Sequence, residues 1–349
     1  MLKLLSGTSI AVNALKLITF MKIRITQIIT PSIPLAILLV ASCFLLWISA
    51  FFDAHNTVLT FHQTLPVQYI QTLLQPNSLF SNLISFGLVL FNAFLLAQLN
   101  NKYTFIRTRT FLPILIFLLL LSSWQETHIT NGSHITLTLI IVSLFYIFDM
   151  HRNRMAVEQA FMSTFFISLS SIIINPLIFL IPAFWIGFLQ LKCLSFKTFT
   201  ASLFGTITPW IFYFSIALYF QPSIQVLDFI QQNTISPLDI ESLKLSNIIY
   251  IGALAISVII TLVGMFSLYN RDAIHTRNKL SFLLILLITV CAISLIFHNQ
   301  VVSFFPLIAL CIAILTSHPF TLKQNNFYSL LFIIFVIINI AHIISNHFI

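Results

Sequence analysis

The sequence predicts an all-α, polytopic transmembrane helical bundle of about eleven spans, with the N-terminus cytoplasmic and the C-terminus outside. Three observations predict it. Only 7% of the 349 residues are charged, where a soluble domain carries about a quarter. Hydrophobic residues make up 59% of the chain, with 37 phenylalanines and a mean hydropathy of +1.03. Finally, the lysines and arginines, taken in chain order, fall in every second gap between the apolar stretches.

A body of this size cannot hide so many apolar side chains from water, so lipid is the solvent for most of its surface. The net charge of +8 has the size of a nucleic-acid signal, but its carriers sit in short loops between apolar spans. That is the positive-inside pattern, with membrane lipid headgroups as the contacts and no nucleic acid.

An apolar run of about 20 residues crosses a bilayer as a helix. Such runs lie at 33–52, 80–99, 110–125, 134–149, 159–174, 176–191, 199–220, 247–268, 280–297, 300–317 and 327–346. Lys102, Arg107 and Arg109 follow the second span, Arg152 and Arg154 the fourth, and Lys192 and Lys197 the sixth. Arg271, Arg277 and Lys279 follow the eighth and Lys323 the tenth, whereas 53–79, 126–133, the junction near 175 and 298–299 have no basic residue. Of 16 basic residues only Lys244 falls in a gap assigned to the outside. The membrane expected is the bacterial inner membrane.

Residues 1–30 read as an amphipathic cytoplasmic segment carrying Lys3, Lys16, Lys22 and Arg24, with Met21 as an alternative start. Residues 31–349 read as one transmembrane domain with outer connections at 53–79 and 221–246. The third and fourth spans have uninterrupted apolar parts of 14 residues each, Phe111–Trp124 and Ile135–Phe148. That is about 21 Å of helix against a hydrocarbon core of about 30 Å. The fifth and sixth meet at Asn175-Pro176, where proline ends one helix and starts the next. Together these predict a depression on the outer face, roofed by 53–79.

The polar residues supply the candidate site. Asp53 follows the first span, with His55 two residues on, and Glu126 lies with His128 and His134 between the two short spans. A carboxylate at the mouth of an outer cavity can serve as a general base; the structural alternative is a helix end meeting water. Arg107 and Arg109 can grip a phosphate or simply anchor headgroups. Asp149, Glu158 and Asp272 read as counter-charges to the basic loops, and Asn92, Asn339 and His342 as interhelical hydrogen-bonding groups. The four cysteines and ten histidines show no metal-ligand spacing, so neither disulfide, metal nor cofactor is expected. Phosphate-binding and dinucleotide-binding glycine loops, GxSxG and HExxH are absent. Without a mid-span acid, an ion-coupled carrier is disfavoured.

Two stretches carry a resemblance. One is Leu99 to Pro113, followed by a short apolar span ending in Ser122-Ser123; the other is Phe161 to Pro209, with Asn175-Pro176, Phe184-Trp185 and Leu203-Phe204-Gly205. Over residues 30–220 the chain resembles a multi-pass family of unknown function from Bacteroidota. The layout is also similar to multi-pass glycosyltransferases that use polyprenyl-phosphate sugars, whose outer first loop places a catalytic acid just beyond span 1. That resemblance implies Asp53 as the base on an acceptor hydroxyl, Glu126 in support, and His55 and His128 as binding side chains in cell-envelope glycan assembly. Two other classes stand beside it: a non-catalytic scaffold subunit with a protein partner in the membrane, and a lipid or solute carrier.

Overall fold

The computed structural model of the chain describes residues 32–48, 51, 79–107, 110–128, 132–220, 245–297, 300–323 and 325–348. Among these residues eleven α-helices follow one another and there is no strand. They are α1 (Ile33–Leu46), α2 (Leu79–Tyr103), α3 (Leu112–Ser123), α4 (Ser133–Asp149), α5 (Val157–Ile173) and α6 (Ile181–Gln190). After these come α7 (Phe196–Phe220), α8 (Leu245–Leu268), α9 (Ile274–Ile296), α10 (Val301–Leu322) and α11 (Asn326–Phe348). The N-terminal segment 1–30 and nearly all of 53–79 and 221–246 lie outside the described residues.

Each apolar stretch expected to cross the bilayer therefore contains a helix, but the helices fall into two lengths. Six, α2 and α7 to α11, are long and apolar enough to span a membrane. The other five are shorter, and α3, with 12 residues, is about 18 Å long. The expected sixth span is not one α-helix. A 3₁₀ segment, Asn175–Leu180, precedes the ten-residue α6. Pro176 and Pro182 both lack the N–H that an α-helical ladder needs at these positions, so the tighter winding takes over.

Helix α10 is the axis. Of its most apolar window, 78% is buried, compared with 22% for α7 on the rim. Helices α3, α8 and α9 pack directly around α10, and α4 and α11 also touch it. Outside this ring α5 lies between α4 and α7. The outward faces are oily: Phe204 is 67% exposed, Val263 65% and Ile337 58%. Side chains of this kind belong against acyl chains, and the protein is a multi-pass helical membrane protein.

Hydroxyls and one glycine hold the α4–α5–α7 layer together. Ser143 Oγ donates to Ser163 O at 2.6 Å, Thr164 Oγ1 to Ser202 O at 2.9 Å, and Ser168 Oγ to Thr206 O at 2.5 Å. Small residues allow the backbones this near approach, and lipid gives the hydroxyls no competing partner. A Cβ built on Gly205 would sit 2.5 Å from Thr164 Oγ1, so no side chain fits there.

Three helix ends share one device. Thr104, Arg152 and Lys192 are the non-glycine residues with positive φ among the described residues, at 48°, 63° and 58°. Each follows a helix C-terminus, where the left-handed conformation closes the last carbonyls. After α6 the closure is complete: Lys192 N–H donates to Leu189 O at 3.1 Å and Cys193 N–H to Phe188 O at 3.0 Å. After α4, Arg152 N–H instead donates to Leu191 O at 3.0 Å, tying two basic connections together. A left-handed residue costs about 1–2 kcal/mol, here offset by the satisfied carbonyls.

Candidate functional site

Polar and charged side chains collect at the two ends of the bundle. At one end are the basic connections. Lys102 Nζ meets Asp149 Oδ2 at 2.8 Å, and Tyr103 Oη donates to Asp149 Oδ1 at 2.8 Å and to Phe145 O at 2.6 Å. Lys279 Nζ lies 5.0 Å from the Tyr103 ring centroid and donates to Tyr103 O at 3.4 Å. The neighbouring His151 is held below the usual histidine range by partial burial and then by Lys279, Arg152, His275 and Lys192. The ends of α2, α4, α6 and α10 and the starts of α9 and α11 thus share one end of the protein, as alternate helices must.

Arg107 belongs to this cluster. Its Nη2 lies 3.5 Å from Asp272 Oδ1 and also donates to Arg271 O. The other Asp272 oxygen faces His318 Nε2 at 3.3 Å. Asp272 is thus a counter-charge to a basic connection, as expected, but a buried one: its side chain is 4% exposed and that of His318 0%. It joins the connection after α8 to the end of the axial helix. Arg109, the second expected phosphate ligand, lies outside the described residues.

The opposite end is aromatic and hydroxylic. Helix α3 stops at Ser122-Ser123, and the chain turns through Trp124 into a 3₁₀ turn, Gln125–His128. Trp47, at the end of α1, donates from Nε1 to Ser122 Oγ at 3.1 Å, and its ring lies 4.1 Å from that of His128. His134 Nε2 contacts Thr127 O at 2.8 Å, while His134 O accepts from Asn92 Nδ2 at 3.0 Å. Gly132 precedes α4 with φ 77°, a conformation only glycine adopts freely. The two short helices are pinned to each other and to α2 through backbone carbonyls.

A second chain of contacts runs to the C-terminal helices. Ser123 Oγ and Tyr250 Oη are 2.7 Å apart, Tyr250 Oη donates to Asn339 Oδ1 at 2.9 Å, and Asn339 Nδ2 donates to Phe335 O at 2.7 Å. The His342 ring stacks on Tyr250 at 3.9 Å with planes only 5° apart. Trp124 packs on Phe305 of α10 at 5.2 Å. Asn92 and Asn339 therefore make the interhelical hydrogen bonds expected of them, while His342 meets α8 through its ring stack on Tyr250. Tyr250 and Trp47 were not singled out in the sequence; an isolated tyrosine or tryptophan in an apolar span gives no signal until its partner is placed.

Of the remaining candidates, Asp53 and His55 lie outside the described residues. Glu126 sits in the 3₁₀ turn, and its side chain is outside the described part. His128 is buried in the protein, 4% exposed and against Trp47. No group of three or more metal-ligating side chains occurs among the described residues. Compared with family models, with curated proteins and with solved structures, the chain finds no match.

Proposed function

We propose that this multi-pass membrane protein transfers a sugar from a polyprenyl-phosphate carrier at the end opposite the basic connections, with that end facing out of the bacterial inner membrane. The supporting observation is the clasp of Trp47 to Ser122 and His128. It brings the end of α1, which leads into Asp53, against the turn that contains Glu126. Asp53 takes the proton of an acceptor hydroxyl, the oxygen attacks the anomeric carbon, and polyprenyl phosphate departs with the bonding pair. The shortness of α3, with 12 residues, supports a turn set below the outer surface. The test is transfer by the full chain in liposomes: Asp53→Asn abolishes it and Glu126→Gln weakens it. Transfer unchanged in both variants removes the reading.

A second reading is a non-catalytic scaffold subunit, favoured by the fact that the polar side chains at this end already bond one another, Ser122 to Trp47 and Tyr250 to Ser123 and Asn339. It predicts a stoichiometric membrane partner on purification, with the same two variants silent.

A further inference from the structure

Outside the proposed site, a ligand-sized groove lies between the starts of α5 and α7, at the basic end. The groove is about 470 Å³ in volume and lies between the exposed starts of the two helices. Phe161, Ala201 and Phe204 form its apolar walls, and Glu158, Lys197 and Thr200 stand at its mouth. Further along α7 a second groove of about 530 Å³ is walled by Ile178, Ile207, Trp210, Ile211 and Phe214. Phe204 and Ile211 are seven residues apart, about 10 Å along the helix. One face of α7 thus carries a polar mouth followed by an apolar trough.

Two features of the mouth decide what fits it. Lys197 and Glu158 are both exposed, and they line one groove without forming an ion pair with each other. Opposite charges lining one groove match a ligand that itself carries both charges. The trough beside them requires that this ligand carry an apolar tail. We propose that the α5–α7 groove binds an aminophospholipid of the phosphatidylethanolamine type. Lys197 meets the phosphate, Glu158 accepts hydrogen bonds from the primary ammonium, and an acyl chain lies along α7 past Phe204 toward Ile211. A phosphatidylglycerol headgroup would satisfy Lys197 but leave Glu158 without a cation. A choline headgroup would present methyl groups where Glu158 needs N–H donors.

Beside the groove, α5 and α7 are held together by the close approach at Gly205 and by the bond from Thr164 to Ser202. The proposal uses the membrane reading only and is independent of any sugar transfer.

The test places the full-length protein in nanodiscs of equal parts phosphatidylethanolamine, phosphatidylglycerol and phosphatidylcholine, then measures the lipid that stays bound after transfer to detergent. The expected result is enrichment of phosphatidylethanolamine over both others. Glu158→Gln removes the preference over phosphatidylcholine, and Lys197→Gln lowers retained phospholipid about fivefold, the worth of one lysine at a membrane surface. Glu158→Asp keeps the preference. Both side chains are exposed, and an unchanged melting temperature in lipid-free detergent confirms intact folding. Equal retention of the three lipids marks an ordinary lipid annulus and overturns the proposal. So does preferred retention of phosphatidylglycerol that rises in Glu158→Gln.

Discussion

Trp47 and His128 lie with ring centroids 4.1 Å apart and planes tilted by 36°, and the same indole donates to Ser122. One tryptophan so holds the first described helix against the break between the two short ones. Trp47→Phe keeps most of the ring contact and deletes the hydrogen bond. We expect a loss of about 1 kcal/mol, seen as a lower melting temperature in detergent. Ser122→Ala should lose a similar amount, and the double variant should fall little further, since both remove one bond.

The Gly205 position tests the α5–α7 layer. Its missing side chain lets Thr164 reach Ser202 O and Ser168 reach Thr206 O. Gly205→Leu should push the helices apart, break both bonds, and cost about 1–3 kcal/mol as overpacking does. Gly87, whose Cβ position is open, provides the control. Gly87→Leu should leave the melting temperature nearly unchanged.

Tyr250 bridges α3 and α11 through its hydroxyl. Tyr250→Phe keeps the stack on His342 and removes both bonds. Interhelical hydrogen bonds in membranes contribute about 0.6 kcal/mol on average and up to about 1.7, so the expected loss is of that order. Trypsin-resistant association of the C-terminal helices with the rest of the chain would report it directly.

Acid should destabilise the protein through His151. Its folded-state proton affinity is depressed by partial burial and by the cations of α9 and of the connections after α4 and α6. Below the ordinary histidine value of about 6.5, the unfolded chain takes a proton that the folded chain refuses. Stability is full above that value and declines as pH falls, levelling only below the depressed folded value. His151→Gln should reduce the fall in melting temperature between about pH 7.5 and pH 5.5. An undiminished fall would place the acid sensitivity elsewhere.

What was legible in the sequence was whatever depends on local pattern. Apolar length placed all eleven helices, and the shortness of α3 and α4 was visible in the runs ending at Trp124 and beginning at Ile135. Asn175-Pro176 marked the α5–α6 break, although the 3₁₀ winding of Asn175–Leu180 is something a hydropathy run does not register. Asn92 and Asn339 were readable as bonding groups because an amide in an apolar span needs a partner. The Asp272–His318 contact was not readable. Its members are 46 positions apart, each at a helix end where solvent is the ordinary neighbour. The sequence offered Arg107 as a phosphate ligand or headgroup anchor and carried no sign of its pairing with Asp272.

The expected arrangement sets the two ends of the bundle on opposite sides of one membrane, with the basic end inside. The decisive measurement is labelling of single cysteines, in an otherwise cysteine-free chain, by a membrane-impermeant maleimide on intact cells. Cysteines in the 126–133 connection should label from outside, while those at Thr104 and Asn153 should label only after lysis. Labelling of Thr104 and the 126–133 connection from the same side would contradict it.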